Sequence, residues 1–221
     1  MPPARRRGGP GDGSGDDSGG GGGGGDGGGH SDERPEERAA AQRSLFALGL
    51  ALIGVSTLFS VLVATWVYLR VHSAAWPPDD VPETGAALWT SSALLLASSL
   101  ALAVGQHALR TDARRRLSGA ALVSTLFGAG FLAAQLQLWA RLADAGFVPA
   151  SNGYGTIFYG LTAAHALHVL VGLGLLLRVA LRALRPCRPL ALRTTTRVAA
   201  IYWHFLGILW LVLFALLAAV P

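Results

Sequence analysis

The sequence predicts an all-α fold: a polytopic transmembrane helix bundle of five spans with a disordered N-terminal tail. Of the 221 residues, 52% are hydrophobic and only 14% are charged, which is outside the usual range for a soluble domain of this size. The 13 acidic residues lie in a few short segments, so long stretches carry no negative charge. Fifteen of the 29 glycines fall within the first 38 residues, where almost nothing is apolar. This pattern indicates a membrane protein with an unstructured beginning.

The predicted tail comprises residues 1–42, and the predicted membrane domain comprises residues 43–221. Because the tail offers little apolar surface, burial cannot offset the entropy cost of ordering it. Arg5, Arg6 and Arg7 could begin a secretory signal peptide, but no apolar segment follows them. The glycine run also lacks the Gly-Lys-Ser/Thr ending of a phosphate-binding loop. We therefore expect the tail to be disordered and to have no leader function.

Five stretches are long and apolar enough to cross a bilayer, since a spanning helix needs about 20 predominantly apolar residues. The predicted spans are residues 45–69, 86–109, 117–140, 156–177 and 198–220. Trp76, Pro77, Pro78 and Pro82 lie in the connection after the first span and favour an extended loop over a helix.

Arginine placement predicts the orientation. All 18 basic residues are arginine, and they concentrate in the second and fourth connections, whereas the first connection carries acids. By the positive-inside rule, the N-terminus and these two connections are cytoplasmic and the C-terminus is extracytoplasmic. Arginine beside membrane spans is explained by topology and anionic lipid, so a nucleic-acid partner is not expected. Cys187, the single cysteine, has no internal disulfide partner and no metal-ligand spacing around it.

Polar side chains within the spans are the first place to look for function, because they are costly in hydrocarbon. Thr162, His165 and His168 follow one face of the fourth span at three-residue spacing. His204 lies in the fifth span beside Trp203, and His107 lies at the end of the second.

Two interpretations compete for these histidines. Imidazoles on neighbouring spans could ligate haem or another metal. However, His165 and His168 share one helix, and His107 and His204 are expected nearer the cytoplasmic face. The favoured interpretation is structural: the side chains hydrogen-bond neighbouring helices or contact lipid. Proton transport through this chain alone is disfavoured because the spans contain no acidic residue.

The last two spans resemble subunit III of the haem-copper cytochrome c oxidases. That family carries motifs like YGSxFFxxTGxHGxHVxxG and, after a basic loop, YWHFVDxVWLxLF. The matching residues here are Tyr154, Gly155, Thr156, Phe158, Tyr159, Thr162, His165, His168, Val169, Gly172, Tyr202, Trp203, His204, Phe205, Trp210 and Phe214. Fainter similarity, including WPP at 76–78, extends the resemblance over about residues 45–220, as in the short, five-helix bacterial form.

The resemblance implies an accessory, non-catalytic subunit in a bacterial plasma membrane. Such a subunit binds no haem, copper or other metal itself, packs against the catalytic subunit I and against subunit II, which hold those cofactors, and binds membrane phospholipids. Thr162, His165, His168, Trp203, His204 and His107 are then structural and lipid-contact candidates. The alternatives are the equivalent subunit of a quinol oxidase or nitric oxide reductase and, from another class, a stand-alone membrane cytochrome or carrier.

The chain departs from the family pattern at its acidic positions. The family's glutamate in the first of these helices falls near Val55 or Ser56, its glutamate in the third falls at Leu138, and the aspartate after YWHF is Gly207. The apolar scaffold is kept while the buried acids are missing. We therefore expect assembly and lipid binding rather than proton uptake by this chain.

Overall fold

The computed structural model describes residues 35–73, 76, 78, 81–82, 84–108, 113–149, 151–186 and 188–218. These residues form five helices and no strand: α1 (Pro35–His72), α2 (Gly85–Ala108), α3 (Arg114–Asp144), α4 (Gly153–Leu184) and α5 (Pro189–Ala218). All five are long and apolar enough to cross a membrane. The all-α prediction with five spans is confirmed, whereas Cys187 and residues 1–34 lie outside the described residues.

The N-terminal boundary differs from the prediction. Helix α1 begins at Pro35, so residues 35–42, which composition predicts to belong to the disordered tail, are helical. Proline suits the first helical position, and Glu36 and Glu37 in the first turn complement the helix dipole. Three consecutive alanines, 39–41, then favour continuation of the helix. A helix of 38 residues is about 57 Å long, so α1 extends well beyond about 30 Å of hydrocarbon.

Helices α2 to α5 pack around a common core, and α1 packs against α4 and α5. The buried residues of α1 follow a narrow stripe, Leu48, Val55, Phe59 and Trp66, at spacings of seven and four. Phe46, Leu50 and Ile53 are exposed apolar residues of the same helix, as expected for a surface that faces lipid. Helix α1 therefore contributes one stripe to the bundle and leaves the rest of its surface apolar.

The two ends of the bundle differ in composition. At one end, which we call the arginine-rich end, Arg178, Arg182 and Arg188 lie near the beginning of α1. At the opposite end aromatic rings cluster: Trp76 packs edge-on against Trp66 and Tyr154, with centroids 5.6 and 4.9 Å apart. Because α4 runs from the aromatic end to the arginine-rich end, Thr162 and His165 lie at an intermediate depth in the bundle.

The turn between α3 and α4 is held by local hydrogen bonds. Gly146, two residues after Asp144 at the end of α3, has a φ of +82°, a conformation that favours glycine. The Asn152 side chain accepts from the backbone N–H of Gly155 at 2.7 Å and caps α4. Tyr159 donates its hydroxyl to the Phe147 carbonyl at 2.8 Å. This turn fixes the register in which α3 and α4 pack.

Candidate functional site

Trp203 lies where four helices meet. Its side chain is 1% exposed, and its indole N–H donates to the Ser98 hydroxyl of α2 at 3.1 Å. Ser98 and Ser124 in turn link α2 to α3, because each hydroxyl lies within 2.8 Å of the other residue's backbone carbonyl. Trp210, one heptad further along α5, donates in the same way to Ser92 at 2.9 Å. Two tryptophans of α5 are thus bonded to two serines of α2.

Two glycines make room for the Trp203 ring. A Cβ atom added to Gly172 of α4 would lie 2.7 Å from Cε3 of Trp203, and one added to Gly128 of α3 would lie 2.7 Å from Cη2. Real Cβ atoms almost never come so close to another heavy atom. The indole therefore fits between α3 and α4 only because both helices have glycine at this level.

His204 also joins α5 to α2. The Gln106 amide nitrogen lies 3.1 Å from His204 Nε2, so the amide donates to an unprotonated ring nitrogen. His107, which follows Gln106 in α2, is exposed. His204 and Gln106 line a groove with Leu52 of α1 and Arg197 of α5. The structure thus places His204 in an interhelical hydrogen bond and His107 on the surface.

His165 is fully buried among aromatic rings. Its centroid lies 5.0 Å from that of Trp210, 5.6 Å from that of Phe131 and 6.3 Å from that of Phe59. Neither ring nitrogen has a hydrogen-bond partner among the described residues. His165 thus contacts three neighbouring helices through its ring, and not through the interhelical hydrogen bond that its position within a span predicts.

His168 and Thr162 make different contacts on the same face of α4. His168 Nδ1 donates to the Ala164 carbonyl of its own helix at 2.7 Å, and its ring meets Phe59 edge-on at 5.6 Å. Thr162 donates to the Phe158 carbonyl at 2.8 Å and accepts from the Trp139 indole at 3.2 Å. Only Thr162 of these two therefore hydrogen-bonds a neighbouring helix through its side chain.

Sequence reasoning did not identify Ser92, Ser98, Ser124 or Gln106 as partners. A serine in an apolar helix commonly donates to the carbonyl four residues earlier, and Ser92 does this as well. The presence of serine therefore does not by itself indicate a hydrogen bond to another helix. The spacing of the residues could have indicated these partners. Ser92 and Ser98 are six residues apart in α2, Trp203 and Trp210 are seven apart in α5, and such pairs can meet along antiparallel helices.

A cavity of about 360 Å³ lies at the arginine-rich end between α1, α4 and α5. Arg178, Arg182 and Arg188 line it together with the hydroxyl residues Ser44, Thr194 and Thr195, and apolar residues complete its walls. Arg182 donates to the Thr195 hydroxyl at 2.5 Å, and Arg188 forms an ion pair with Glu37. The cavity thus combines cationic and hydroxyl groups with an apolar lining.

The described residues provide no group of three or more His, Cys, Asp or Glu side chains that could hold a metal ion. The described rings that contact His165 and His168 belong to Phe59, Phe131 and Trp210, and none is a histidine of a neighbouring helix. The central histidines are therefore arranged for packing between helices.

Comparison with known proteins agrees with this architecture. Residues 40–219 match the family model of cytochrome c oxidase subunit III. Cytochrome c oxidase subunit 3 of Thermostichus vulcanus is 32% identical over 75% of this chain and 82% of its own length. The protein of the same name from Synechocystis is 33% identical over 78% of this chain and 73% of its own length. Quinol oxidase subunit 3 of Bacillus subtilis is 26% identical over 71% of this chain and 77% of its own length.

The family match covers helices α2 to α5 and α1 from residue 40 onward, including the Trp203 contacts and the aromatic surroundings of His165. The chain therefore belongs to the cytochrome c oxidase subunit III family, and it is an accessory, membrane-spanning subunit of an oxidase complex.

Proposed function

We propose that this chain packs against the catalytic subunit I and against subunit II of a cytochrome c oxidase and holds no haem, copper or other metal of its own. The proposal rests on the contacts that the two central histidines of α4 make. His165 and His168 lie on one helix, and the described rings that contact them are those of Phe59, Phe131 and Trp210 rather than a histidine of a facing helix, so neither has the second imidazole that a bis-imidazole site needs. Haem and copper then belong to the partner subunits, and this chain stabilises the assembly.

The purified subunit, expressed without its partners, should show no Soret band. The reason is that, among the described residues, no histidine of a facing helix contacts His165 or His168 to complete a bis-imidazole site. Absorbance spectra of the chain in mild detergent, recorded with added haem and without it, provide the measurement. Stoichiometric haem that disappears in His165→Leu or His168→Leu would favour a stand-alone cytochrome instead.

A quinol oxidase is the second candidate, because the chain also resembles a protein named quinol oxidase subunit 3. The electron donor is set by other subunits, so either complex is compatible with the packing role proposed for this chain. Two relatives named cytochrome c oxidase subunit 3 are more similar, at 32% and 33% identity, and on this basis cytochrome c is the preferred donor.

The cavity at the arginine-rich end suits the headgroup of an anionic phospholipid. Arg178 and Arg182 supply positive charge in addition to the Arg188–Glu37 ion pair, and Thr194 supplies a hydroxyl that can donate to a phosphate oxygen. The apolar walls, which include Leu175 and Val198, continue toward the hydrocarbon and can contact acyl chains. This combination matches basic pockets between transmembrane helices that bind lipid headgroups.

Native mass spectrometry should detect phosphatidylglycerol retained at this cavity in preference to phosphatidylcholine. Arg178→Gln should weaken retention of phosphatidylglycerol roughly fivefold, since an arginine near a membrane surface contributes about 1 kcal/mol. Arg141→Gln removes the same charge near the end of α3, at the opposite end of the bundle, and serves as the control. Equal effects of the two substitutions would place the lipid elsewhere.

The orientation proposed from arginine placement puts the N-terminus in the cytoplasm of a bacterial cell and the C-terminus outside its plasma membrane. Cys187, which lies outside the described residues, falls between α4 and α5 and should face the cytoplasm. A membrane-impermeant maleimide should label it in inverted vesicles and leave it unlabelled in intact spheroplasts. Labelling in intact spheroplasts would reverse the proposed orientation.

A further inference from the structure

Within the part of the chain that the structure describes, Gln135 and His165 are the residues in which two buried side-chain polar atoms both lack a hydrogen-bond partner; Trp66 and Trp76, at the aromatic end, each have one such atom, the indole N–H. Gln135 of α3 is 1% exposed, and neither its amide nitrogen nor its amide oxygen is bonded. His165 of α4 is 0% exposed, and neither ring nitrogen is bonded. Buried polar groups are nearly always paired with protein or with water, so two such residues in one small bundle require an explanation.

The packing of α3 against α4 brings these two residues to the same level. Phe131 contacts the His165 ring at 5.6 Å, and Trp139 donates to Thr162. Gln135 lies one helical turn after Phe131 and one turn before Trp139, on the same face of α3. Gln135 must therefore lie alongside the segment of α4 between Thr162 and His165.

The other polar groups at this level are already engaged. The Thr162 hydroxyl donates to the Phe158 carbonyl, and the Trp139 indole donates to Thr162. The Trp210 indole, whose ring packs on His165, donates to Ser92. Gln135 and His165 are thus the groups left to satisfy each other, but no direct hydrogen bond joins them.

We propose that at least one buried water molecule bridges the Gln135 amide and the His165 imidazole between α3 and α4. A neutral imidazole has one donor and one acceptor, and the amide has both, so a water can complete either imidazole tautomer. Polar contacts that exceed direct hydrogen-bond distance are commonly bridged in this way. These water-mediated hydrogen bonds connect α3 to α4 at an intermediate depth of the membrane.

This water site is distinct from a proton path. The acidic residues among those that the structure describes are Glu36, Glu37 and Asp144, and all three lie at helix ends. The bridge therefore connects two neutral groups and serves to hold two helices in register. It does not depend on which electron donor the complex uses.

High-resolution cryo-electron microscopy of the intact oxidase complex tests the proposal directly. Density for an ordered water should appear within about 2.7–3.2 Å of both the Gln135 amide and a His165 ring nitrogen. A direct Gln135–His165 hydrogen bond, or the absence of any density between them, would overturn the proposal. A side chain of another subunit in that position would do the same.

Substitutions give a second measurement on the same complex. Gln135→Leu and His165→Leu should each lower its thermal midpoint, because each leaves the remaining partner and its water poorly bonded. The double variant should lose less than the sum of the two single losses, since both polar partners are then gone. Gln137→Leu, the same change at an exposed position of α3, should leave the midpoint nearly unchanged. Additive losses would count against a shared water.

Discussion

Replacement of Trp203 with alanine should lower the free energy of unfolding of this subunit by about 3–5 kcal/mol, the usual cost of truncating a buried aromatic side chain. The indole is 1% exposed, fits between Gly128 and Gly172, and donates to Ser98. Alanine would leave a cavity where α2, α3, α4 and α5 meet. The midpoint of unfolding in a titration with sodium dodecyl sulfate, measured on the purified chain, reports the loss.

Trp89→Ala is the matched control, because Trp89 is 66% exposed and its ring packs against Phe214. It should shift the unfolding midpoint by much less than Trp203→Ala. Similar shifts for the two tryptophans would mean that the four-helix contact at Trp203 does not dominate the stability of the bundle.

Gly172→Ala should destabilise the subunit by about 1–3 kcal/mol, the usual cost of overpacking a core. The added methyl group would lie 2.7 Å from the Trp203 ring, which is rigid and enclosed on its other side by Gly128. Gly174→Ala makes the same change two residues later, where nothing lies within 4 Å. Because alanine has the higher helix propensity, the control should be neutral or stabilising by up to about 1 kcal/mol.

Combining Gly172→Ala with Trp203→Ala separates overpacking against the indole from other effects of alanine at residue 172. In a Trp203→Ala background the ring that meets the added methyl group is absent, so Gly172→Ala should cost little or nothing there. The same unfolding titration on the wild-type chain, the two single variants and the double variant gives the coupling free energy between the two substitutions. A penalty that persists without the indole would mean that residue 172 is constrained by something other than Trp203.

The five spans were predictable because a helix that crosses the hydrocarbon of a bilayer needs a long apolar stretch. Such stretches are visible directly in the sequence. The ends of the helices were less predictable. Residues 35–42 lack the apolar character that identifies a span, yet they are helical because helix propensity and the acidic first turn, with Glu36 and Glu37, continue to act beyond the hydrocarbon. Hydropathy therefore locates the membrane segment and misses the helical extension.

The candidate residues were predictable as a set, but their partners were not. Helical spacing places Thr162, His165 and His168 on one face of α4, and the structure has them on that face. Which groups meet that face depends on the register between helices, which a single sequence does not specify. His165 consequently meets aromatic rings, while Trp203 meets a serine that no motif singled out.

The positions at which the family carries carboxylates are filled mainly by packed apolar groups. Val55 of α1 and Leu138 of α3 are buried in the hydrophobic core, whereas Ser56 is exposed. A Cβ atom on Gly207 of α5 would lie 3.3 Å from the Ser99 hydroxyl, a tight contact from which that hydroxyl would have to shift. The absence of the acids is thus accommodated by packing, in agreement with a role in assembly.

Affinity purification of the complex through this chain tests the central claim most directly. A tag on the N-terminal segment, with solubilisation in mild detergent, should recover a haem-copper catalytic subunit in stoichiometric amount. Mass spectrometry should identify that subunit, and a reduced-minus-oxidised spectrum of the preparation should show its haem. Recovery of this chain alone, without a haem-containing partner and from membranes that contain the active oxidase, would contradict the account.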